Sequence, residues 1–377
     1  MKIGISLLFV KPQKSGGIES YIRNLLDGLM KYGERDLEIY LFTSYNNDST
    51  FNKYKKDIRF KFIKCPIDSN KVVKRILWEN IKLDKIARLC KLDLMFIPVY
   101  NKPFITKSKI PYVTVIHDLQ ALHYPEYFSK LKCLWLKFAW KKSAVTSDKI
   151  IAISQFVKND IIENLKIDGE KIDVIYNPIT KLTNIEKFKN LQERFGIEKN
   201  KYFYTVSSML EHKNLKTLLY LMKSIKDQNL NICNKLVISG VGGSSKESLV
   251  NIINQLNIRD NVIMTGYVSD RERDCLYKNA NAFLFPSIFE GFGMPPIEAM
   301  MNGTKVITTE KSSLKEVTKN KAIYVKKPFD VEEWISCIYK LESTCLKDCD
   351  FEEYGLETIT NKYIDTFKLV LSKSKGV

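Results

Sequence analysis

Short apolar runs alternate with longer amphipathic segments along nearly the whole chain, and this alternation constrains the fold more than any other feature. The strand-like runs cover residues 3–10, 37–43, 92–99, 112–118, 150–154, 174–177, 202–208, 235–240, 261–268, 282–287, 305–309 and 322–326. The helical segments include 17–32, 154–164, 215–228, 244–256, 270–279 and 354–373. Strands that are apolar throughout are buried on both faces, as in parallel sheets covered by helices. We therefore expect an α/β protein with two doubly wound, Rossmann-like domains.

The chain of 377 residues is long enough for two domains, because single hydrophobic cores stop growing near about 250–300 residues. A polar stretch, 178–199, separates the two series of strands. We place the first domain at 1–185 and the second at 190–350. The segment 354–373 has apolar residues at mostly three- and four-residue spacing, which predicts a helix. Its spacing alone would fit a cap on the second domain.

Composition excludes several classes of protein. Hydrophobic residues make up 45% and charged residues 27% of the chain, as in ordinary globular proteins. No apolar run approaches the roughly 20 residues that a membrane-spanning helix needs. The run at 3–10 continues into Lys11-Pro12 without a small-residue cleavage site, so we interpret it as a core strand rather than a signal peptide. Eight cysteines without a CxxC pair and three histidines provide no framework for zinc or disulfides, so we expect free cysteines in a reducing cytoplasm.

Positive charge is concentrated in the first half of the chain. The net formal charge is +17, and residues 51–150 hold 22 Lys and Arg against 8 Asp and Glu. A localised basic zone predicts an anionic partner: phosphate groups, an anionic membrane surface or nucleic acid. An AT-rich genome that encodes lysine freely is the alternative explanation for part of the excess.

The strongest local signal follows the run 282–287 and reads Ser287-Ile-Phe-Glu-Gly-Phe-Gly-Met-Pro-Pro-Ile-Glu-Ala-Met300. The two prolines suit the first turn of a helix, and the glycines before them let backbone N–H groups approach a ligand. A glycine-rich loop that leads into a helix N-terminus favours an anion. Glu290 and Glu298 add carboxylates, which accept hydrogen bonds from hydroxyl-rich ligands. By spacing alone, a capped helix with an incidental acid at each end is an equal alternative.

This segment resembles the E-x7-E signature of the family 4 retaining glycosyltransferases, which have the GT-B fold of two Rossmann-like domains facing each other across a cleft. Further segments resemble the family in the same order along nearly the whole chain. They are Gly16-Gly17 after the first strand, 113–118 ending in His117-Asp118, 151–156 around Ser154, 174–178 ending in Asn177-Pro178, 206–214 with Lys213, 236–242 with Gly240, and 261–268 with Gly266. The resemblance implies that helix 354–373 crosses back onto the first domain.

The resemblance also implies roles for individual residues. Three of these are catalytic: Glu290 beside the donor sugar, Lys213 neutralising the diphosphate as charge builds on the leaving group, and His117 beside the reacting centre. The implied substrate-binding residues are Glu298 at the ribose hydroxyls, the backbone amides of Phe292, Gly293 and Met294 at the sugar or diphosphate, Gly16 and Gly17 at the phosphates, and Gly266, Tyr267 and Val268 at the base.

The phosphate-binding loop departs from the family at one point. Many members carry an arginine five or six residues before the lysine, whereas this chain has Ser207 and Ser208 there. We count both serines and His212 among the substrate-binding residues. His212 lies next to Lys213 and would supply charge, but a histidine near its reference pKa of about 6.5 is only partly protonated. His123 matches no role, and we interpret it as a surface or core histidine.

The resemblance implies a retaining transfer of a hexosyl unit from a nucleotide-diphosphate sugar to a lipid-linked or oligosaccharide acceptor, in the biosynthesis of O-antigen or capsule. The residues that follow Glu290, Gly-Phe-Gly-Met-Pro-Pro, resemble those of mannosyl- or rhamnosyl-transferring relatives. This resemblance favours GDP-mannose or dTDP-rhamnose over UDP-sugars as the donor. Because no motif marks a first-domain acid as nucleophile, we adopt the family's front-face attack within an ion pair. No cofactor and no metal are expected. Asp348-Cys349-Asp350 spells the D-x-D of another glycosyltransferase fold but lies in a polar stretch after the last core strand.

Residues 128–142 form a basic, aromatic segment without an acidic residue. Five lysines alternate there with apolar side chains: Lys130, Lys132, Lys137, Lys141 and Lys142 with Leu131, Leu134, Trp135, Phe138 and Trp140. Amphipathic helices of this composition lie in membrane interfaces. We therefore expect a cytoplasmic protein that is peripheral on the inner face of the plasma membrane. A core-packed helix with a solvated basic face is the alternative.

Three other functions remain open on sequence alone. A glycolipid or free-disaccharide synthase of the same fold would use the same donor site. A basic nucleic-acid-binding protein would need a recognition element, and the chain shows no helix-turn-helix, zinc finger or aromatic RNA-binding signature. An inactive sugar-binding relative is disfavoured because Glu290, Glu298, Lys213 and His117 are all present. Donor hydrolysis would separate an enzyme from the last two.

Overall fold

The computed structural model describes most of the chain, which divides into two compact units. The first consists of Met1–Ile179 and the C-terminal segment from Glu352 onward, and the second of Thr180–Phe351. The division falls a few residues before the limit of 185 that the sequence suggests. The described residues are 1–12, 16–105, 108–182, 184–343 and 350–374.

Seven parallel strands form the centre of the first unit: β1 (Lys2–Ser6), β2 (Glu38–Ser44), β3 (Phe60–Cys65), β4 (Leu94–Ile97), β5 (Tyr112–Ile116), β6 (Lys149–Ala152) and β7 (Ile172–Val174). Their order in the sheet is β3-β2-β1-β4-β5-β6-β7. Strand β1 pairs with β2 on one side and with β4 on the other, so the direction of winding reverses between β1 and β4. Doubly wound sheets bind ligands at such reversals, beside the carboxyl ends of the strands.

Helices connect these strands: α1 (Gly16–Tyr32), α2 (Val72–Trp78), α3 (Asp84–Leu89), α4 (Gln120–His123), α5 (Lys130–Thr146) and α6 (Gln155–Leu165). A π-helical turn, Glu79–Leu83, joins α2 to α3. Short 3₁₀ helices cover Asp48–Lys56, Pro125–Tyr127 and Gly169–Lys171. Ser129 and Ser154 begin α5 and α6 as N-caps, because their hydroxyls accept hydrogen bonds from backbone N–H groups of the first turn.

Six parallel strands form the sheet of the second unit: β8 (Phe203–Val206), β9 (Leu236–Ser239), β10 (Val262–Gly266), β11 (Ala282–Phe285), β12 (Val306–Thr309) and β13 (Ile323–Val325). Their order is β10-β9-β8-β11-β12-β13, so the winding reverses between β8 and β11. Leu218, Leu236, Leu284 and Trp334 are completely buried in one core cluster that joins the sheet to its helices. This core holds the strand ends in position.

The helices of the second unit are α7 (Phe188–Phe195), α8 (Leu215–Asp227), α9 (Ser244–Gln255), α10 (Asp270–Lys278), α11 (Met294–Met301), α12 (Leu314–Val317) and α13 (Val331–Tyr339). Short 3₁₀ helices cover Glu211–Lys213 and Arg259–Asn261. Helix α10 begins with a capping box, in which the side chains of Ser269 and Glu272 each accept from the other residue's backbone N–H.

The last helix, α14 (Leu356–Ser374), lies in the first unit and packs against α1. The hydroxyl oxygens of Tyr363 and Tyr21 lie 2.6 Å apart in this contact. The chain before α14 contains the 3₁₀ turn Glu352–Tyr354 and is held by Ile179, whose N–H donates to the Tyr354 carbonyl at 2.8 Å. Helix α14 therefore belongs to the same unit as β1 and α1.

The predicted fold class, two doubly wound Rossmann-like domains, is confirmed, but the sequence pattern misses β3. This strand lies at the edge of the seven-stranded sheet and pairs with β2 alone. It carries exposed lysines at positions 61 and 64, between apolar residues. Lysines on an edge strand oppose pairing with another chain. They also interrupt the continuous apolar run by which central strands are recognised.

Some sequence features lie outside the described residues. These are Cys345 and, within the D-x-D-like triplet, Asp348 and Cys349. The six cysteines that the structure does describe are free thiols. Among the helices of the described ranges, none is long and apolar enough to cross a membrane.

Candidate active site

Two loops meet where the sheet order of the second unit reverses. One follows β8 and carries Lys213, and the other follows β11 and carries Glu290. The carbonyl of His212 joins them, because it accepts from the N–H of Ile288 at 2.9 Å and from the hydroxyl of Ser287 at 3.1 Å. Since β8 and β11 are neighbours, the fold brings together two side chains that lie 77 positions apart in sequence.

Lys213 and Glu290 form an ion pair in this loop cluster. Lys213 Nζ lies 2.6 Å from Glu290 Oε1, and the two side chains are 23% and 12% exposed. Lys213 Nζ also lies 5.8 Å from the centre of the Phe285 ring. A partly buried pair is coupled more strongly than a surface pair because less water screens it. The ammonium can bind an anion, and the carboxylate can accept from hydroxyl groups.

Two serines that follow β12 hold the backbone of Glu290. Ser312 accepts from the Glu290 N–H at 2.9 Å, and the Ser313 hydroxyl lies 2.9 Å from the carbonyl oxygens of both Glu290 and Phe292. Ser312 has a φ of +52°, which residues other than glycine rarely adopt. Sequence reasoning missed both serines. Their position directly after the run 305–309 is a usable signal, because ligand sites lie at strand ends.

Helix α11 begins where this loop ends. Gly293 has a φ of +91°, which favours glycine, and a Cβ there would lie 2.7 Å from a methyl carbon of Leu314, which would have to shift. Pro295-Pro296 occupies the first turn, where no N–H is needed. The predicted binding residues Phe292 and Met294 have buried side chains. Their contacts with a ligand would therefore come from the backbone at the helix N-terminus.

Glu298 lies one turn inside α11 and is held from α10 by a hydrogen bond from Tyr277 and an ion pair with Arg273. Glu298 Oε2 accepts from the Tyr277 hydroxyl at 3.1 Å and lies 3.3 Å from Arg273 Nε. Glu298 Oε1 makes no hydrogen bond to any described residue, and the side chain is 14% exposed. A carboxylate that is held by one oxygen keeps its other oxygen for ligand hydroxyls.

Acidic side chains lie beside Arg273, and burial acts on Tyr277. Arg273 Nη1 lies 2.8 Å from Asp270 Oδ1, and Arg273 Nη2 lies 3.7 Å from Asp274 Oδ1. Burial raises the pKa of Asp274 to about 6, although Arg273 opposes that shift. Burial also raises the pKa of Tyr277 well above its ordinary value, so its hydroxyl stays protonated. Sequence reasoning missed Arg273 and Tyr277, and their four-residue spacing on the predicted helix 270–279 is a weak signal of a shared face.

The predicted base-binding turn follows β10. Gly266 has a φ of +70° with open space where a Cβ would lie, Tyr267 is 88% exposed, and Val268 is buried. The Gly266 carbonyl accepts from the N–H of Gly240 at 2.9 Å. A Cβ at Gly240 would lie 2.8 Å from the Ser207 carbonyl oxygen. The backbone after β8, β9 and β10 therefore forms one continuous surface.

The loop after β8 carries one positive side chain near neutral pH. Burial, and to a smaller extent the charge of Lys213, lowers the pKa of His212 to about 4, so its ring is neutral. Ser207 donates to the carbonyl of Ser208 at 3.2 Å. His212 therefore does not replace the arginine charge that many family members carry at one of these serine positions, and Lys213 alone charges this loop positively.

In the first unit, His117 lies at the carboxyl end of β5. His117 Nε2 lies 2.8 Å from the carbonyl oxygen of Pro98, which can only accept, so Nε2 carries the proton. Burial lowers the pKa of His117 to about 4 despite this hydrogen bond. The ring is therefore neutral, and Nδ1 keeps a lone pair that can accept from a ligand hydroxyl. Tyr21 packs edge-on against the ring, with the ring centres 5.0 Å apart.

Gly16 and Gly17 begin α1, after the carboxyl end of β1. Gly16 has a φ of +52°, and no atom lies within 4 Å of the place where its Cβ would be. Glu19, one turn further on, pairs with Arg23 at 2.7 Å. The open space at Gly16 leaves its backbone accessible, whereas Glu19 places an acid in the same first turn, where it is paired with Arg23. The structure places Gly16, Gly17 and His117 in the first unit and all other candidate residues in the second.

His123, to which the sequence assigns no role, makes a structural contact. His123 Nε2 lies 2.7 Å from Asp160 Oδ1, which also accepts from Asn164 Nδ2 at 2.7 Å. Asp160 is buried, so the pair ties α4 to α6. In the part of the chain that the structure describes, no group of three or more His, Cys, Asp or Glu residues is placed to hold a metal ion.

Two doubly wound sheets, with a lysine–glutamate pair and a second glutamate at a sheet reversal, define the class of GT-B glycosyltransferases. The family model "Glycosyltransferase Family 4" matches residues 15–180, and the model "Glycosyl transferases group 1" matches residues 187–357. The chain belongs to the family 4 glycosyltransferases. The predicted family and the predicted enzyme class are confirmed, and the nucleic-acid-binding alternative is set aside.

The curated proteins to which the chain is similar include two O-antigen chain mannosyltransferases. O-antigen chain mannosyltransferase RfbU of Salmonella typhimurium is 33% identical over 227 residues, which are 60% of this chain and 60% of that protein. O-antigen chain mannosyltransferase B of Escherichia coli is 24% identical over 68% of this chain and 70% of that protein. A glycosyltransferase of Methanocaldococcus jannaschii is 23% identical over 98% of this chain and 99% of that protein. The match thus spans three fifths of RfbU and nearly the whole archaeal protein.

Solved structures share the fold. Sucrose-phosphate synthase of Thermosynechococcus elongatus has a TM-score of 0.79 at 15% identity, covering 99% of this chain and 100% of that one. HepE of Anabaena, solved in complex with UDP, has a TM-score of 0.72 at 15% identity, covering 98% of this chain and 99% of that one. At these identities the likeness establishes the GT-B fold.

Proposed function

We propose that this protein is a retaining, metal-independent hexosyltransferase that moves a sugar from a nucleotide-diphosphate donor to a lipid-linked or oligosaccharide acceptor of a surface polysaccharide. The observation that carries the proposal is the Lys213–Glu290 pair at the reversal of the six-stranded sheet, with Glu298 in the helix that follows the Glu290 loop. A cation and two carboxylates that follow the carboxyl ends of neighbouring strands suit a ligand that is both anionic and rich in hydroxyls. RfbU and mannosyltransferase B make GDP-mannose the first donor to test, followed by dTDP-rhamnose and UDP-sugars.

Each part of such a donor has a matching group in the second unit. Glu298 Oε1 accepts from the ribose hydroxyls, while the turn at 266–268 contacts the base through its backbone. Lys213 and the N-terminus of α11 bind the diphosphate. Glu290 then accepts from hydroxyls of the sugar, because its carboxylate lies beside the same lysine.

The proposed transfer needs no covalent intermediate with the protein. The bond between the sugar C1 and the phosphate oxygen breaks while the acceptor oxygen bonds C1 from the same face, and the departing phosphate takes the acceptor's hydroxyl proton. Lys213 stabilises the negative charge that develops on that phosphate. Its ammonium provides the positive charge that a metal ion supplies in other transferases. Neutral His117 orients the acceptor hydroxyl through Nδ1.

Donor binding and hydrolysis test this proposal. The thermal midpoint of the purified protein would be followed with UDP, GDP, dTDP, ADP and their common sugars, together with slow release of nucleotide diphosphate. A ligand that binds the folded state raises the midpoint by mass action. We expect one nucleotide to do so, Glu298→Ala to weaken the effect, and Glu193→Ala, at an exposed acid of α7, to leave it unchanged. The proposal would be refuted if no donor either stabilised the protein or was hydrolysed. Transfer to a free sugar alone would favour the disaccharide synthase.

Helix α5 carries the proposed membrane contact. Leu131 and Leu134 are 81% and 67% exposed, and Lys137 is also exposed. Trp140, which the sequence groups with them, is buried and packs edge-on against Tyr100, so it belongs to the core. The helix is therefore partly core-packed, with basic and apolar side chains together on its outer side.

We propose that this outer side binds the anionic inner face of the plasma membrane, at about 1 kcal/mol per nearby cation. Replacing Lys132 and Lys137 with Glu should reduce binding to vesicles that contain phosphatidylglycerol. The control replaces Lys189 and Lys201, which are 83% and 72% exposed in the second unit, with Glu. Equal binding by both variants would reject the contact.

A further inference from the structure

A second row of exposed apolar side chains lies on α2 and the π-helical turn that follows it. Val73, Leu77 and Ile81 are 71%, 52% and 57% exposed. They recur every four residues, so they share one side of the helical segment. Leu89 of α3 is also 72% exposed. Soluble proteins rarely expose bulky aliphatic side chains as a group unless that surface meets a partner.

The exposed charges around this row are all positive. Residues 71–91 contain seven Lys or Arg and two acids. Both acids, Glu79 and Asp84, are buried at 3% and 5% exposure. Six of the seven cations are exposed, and Arg75 is the buried one. A surface of this sign complements an anionic partner.

Residues 104 and 105 connect this row to α5. Asn80 Oδ1 accepts from the N–H groups of Phe104 at 2.8 Å and Ile105 at 3.1 Å. The Phe104 ring packs against Phe138 and Trp135 of α5, with ring centres 5.4 and 6.4 Å apart. Ile105 is itself 61% exposed. The exposed row of α2 and the outer side of α5 are therefore neighbours.

The sheet topology places both segments on the same side of the first unit. The connection from β3 to β4 contains α2 and α3, and the connection from β5 to β6 contains α5; both run in the same direction across the sheet. Connections between parallel strands are right-handed, so these helices cover one face. Helix α1, whose connection from β1 to β2 runs the other way, covers the opposite face together with α14.

We infer that the two segments form one lipid-binding surface, the α2–α5 face, whose apolar members include Val73, Leu77, Ile81, Ile105, Leu131 and Leu134. Its occupant is the surface of an anionic bilayer. Aliphatic side chains between exposed cations match the boundary at which acyl chains meet negatively charged head groups. A nucleic acid has no apolar layer for these side chains. The inference rests on the proposed membrane contact of α5 and extends it to a second segment.

Two segments on one face bind more tightly than either alone. Once the first segment is docked, the second reaches the same surface without a separate cost of association. Loss of either segment should therefore weaken binding strongly rather than leave half of it. Contact through α5 alone predicts that substitutions in α2 have no effect.

Vesicle co-sedimentation of the full chain tests the inference, with vesicles of phosphatidylcholine and phosphatidylglycerol and vesicles of phosphatidylcholine alone. Three double variants are compared: Leu77→Glu with Ile81→Glu in α2, Leu131→Glu with Leu134→Glu in α5, and, as matched control, Tyr220→Glu with Tyr339→Glu, whose side chains are 50% and 53% exposed in the second unit. We expect binding to the anionic vesicles that falls about tenfold or more in the first two variants and is unchanged in the control.

Binding that is lost in the α5 variant but kept in the α2 variant would overturn the inference and leave the membrane contact of α5 intact. No binding by the wild type, or equal binding by all variants, would overturn both. Self-association that disappears in the α2 variant, without vesicle binding, would assign the face to a protein partner and also overturn the inference. Thermal midpoints and donor hydrolysis without vesicles separate lost affinity from lost folding, and they keep the donor-site proposal independent of the result.

Discussion

The two units carry their candidate residues at corresponding strand ends, but they hold them in different ways. In the second unit, Glu290 is fixed by Lys213 and two serines, and Glu298 by a hydrogen bond and an ion pair from α10. In the first unit, His117 makes one hydrogen bond to a carbonyl and packs against a tyrosine, while Gly16 has open space around it.

This difference follows the chemistry that each unit meets under the proposed function. A charged diphosphate and a hydroxyl-rich sugar require charges whose positions are set before binding, because reorienting them would cost free energy at the moment of reaction. A neutral acceptor hydroxyl requires only a neutral acceptor atom, which His117 Nδ1 provides. Under the proposed function, the ion-pair network of the second unit would serve the donor and the neutral imidazole of the first unit the acceptor.

The strongest test of this difference between the units removes the ammonium group of Lys213 in the second unit. Lys213→Ala should lower kcat/KM for transfer about 10²–10³-fold, because charge on the leaving phosphate loses its partner. Lys216→Ala, at an exposed lysine one turn away, is the control and should have little effect. Initial rates at varied donor concentration measure both. A loss of less than about threefold would show that the ion pair is structural.

Removing the imidazole of the first unit should have a smaller and different effect. His117→Ala should lower transfer about 10–100-fold, while the thermal shift caused by the nucleotide stays at its wild-type value. His123→Gln, in the same unit, should leave transfer unchanged because the contact of His123 with Asp160 ties α4 to α6. Loss of nucleotide binding in His117→Ala would contradict the division of labour between the units.

Each unit also contains one histidine whose pKa burial lowers to about 4, His117 and His212. In the unfolded chain, a histidine has a pKa near about 6.5. The unfolded state therefore takes up protons first, so the stability from each neutral ring is complete above pH 6.5 and is lost as the pH falls towards 4. At pH 5 the loss is at most about 2 kcal/mol per histidine.

Urea unfolding at pH 7.5 and pH 5 measures this loss of stability. His117→Gln should reduce the pH dependence of the first unit, and His212→Gln that of the second. An unchanged pH dependence in both variants would show that other groups control acid sensitivity.

The smallest expected effect concerns the support of Glu298. Tyr277→Phe removes one hydrogen bond to Glu298 Oε2, so the nucleotide Kd should rise about 3–10-fold, with kcat nearly unchanged. Tyr202→Phe is the matched control, because that buried hydroxyl donates to the Leu276 carbonyl instead. Isothermal titration with the nucleotide and its 2′-deoxy form checks the role. Equal losses for both forms would argue against contact of Glu298 with the 2′-hydroxyl.

The architecture was predictable because it depends on a repeated pattern. Central strands are apolar throughout, and twelve of the thirteen strands follow predicted runs, whereas β3 at the sheet edge is interrupted by lysines. The motif-bearing residues Lys213 and Glu290 were placed by resemblance, and the adjacency of β8 and β11 explains why they meet.

The supporting residues could not be predicted in the same way, because their roles depend on tertiary neighbours. Ser313 matters through carbonyls about twenty positions earlier in the chain, and Tyr277 through a glutamate on the next helix. The direction of Trp140 on α5 could not be predicted from sequence either. Its lysine neighbours suggest the outer side, but the phase of the helix turns the ring into the core.

The Lys213–Glu290 pair has a consequence for selectivity. With 2.6 Å between the two charges, a small inorganic anion can take the lysine only by leaving the carboxylate without a counter-charge in a partly buried place. A nucleotide sugar offers a diphosphate to the lysine and hydroxyl donors to the carboxylate, so both partners are compensated together. Under the proposed function, the pair would therefore favour ligands that carry both groups over the free phosphate that is abundant in cells.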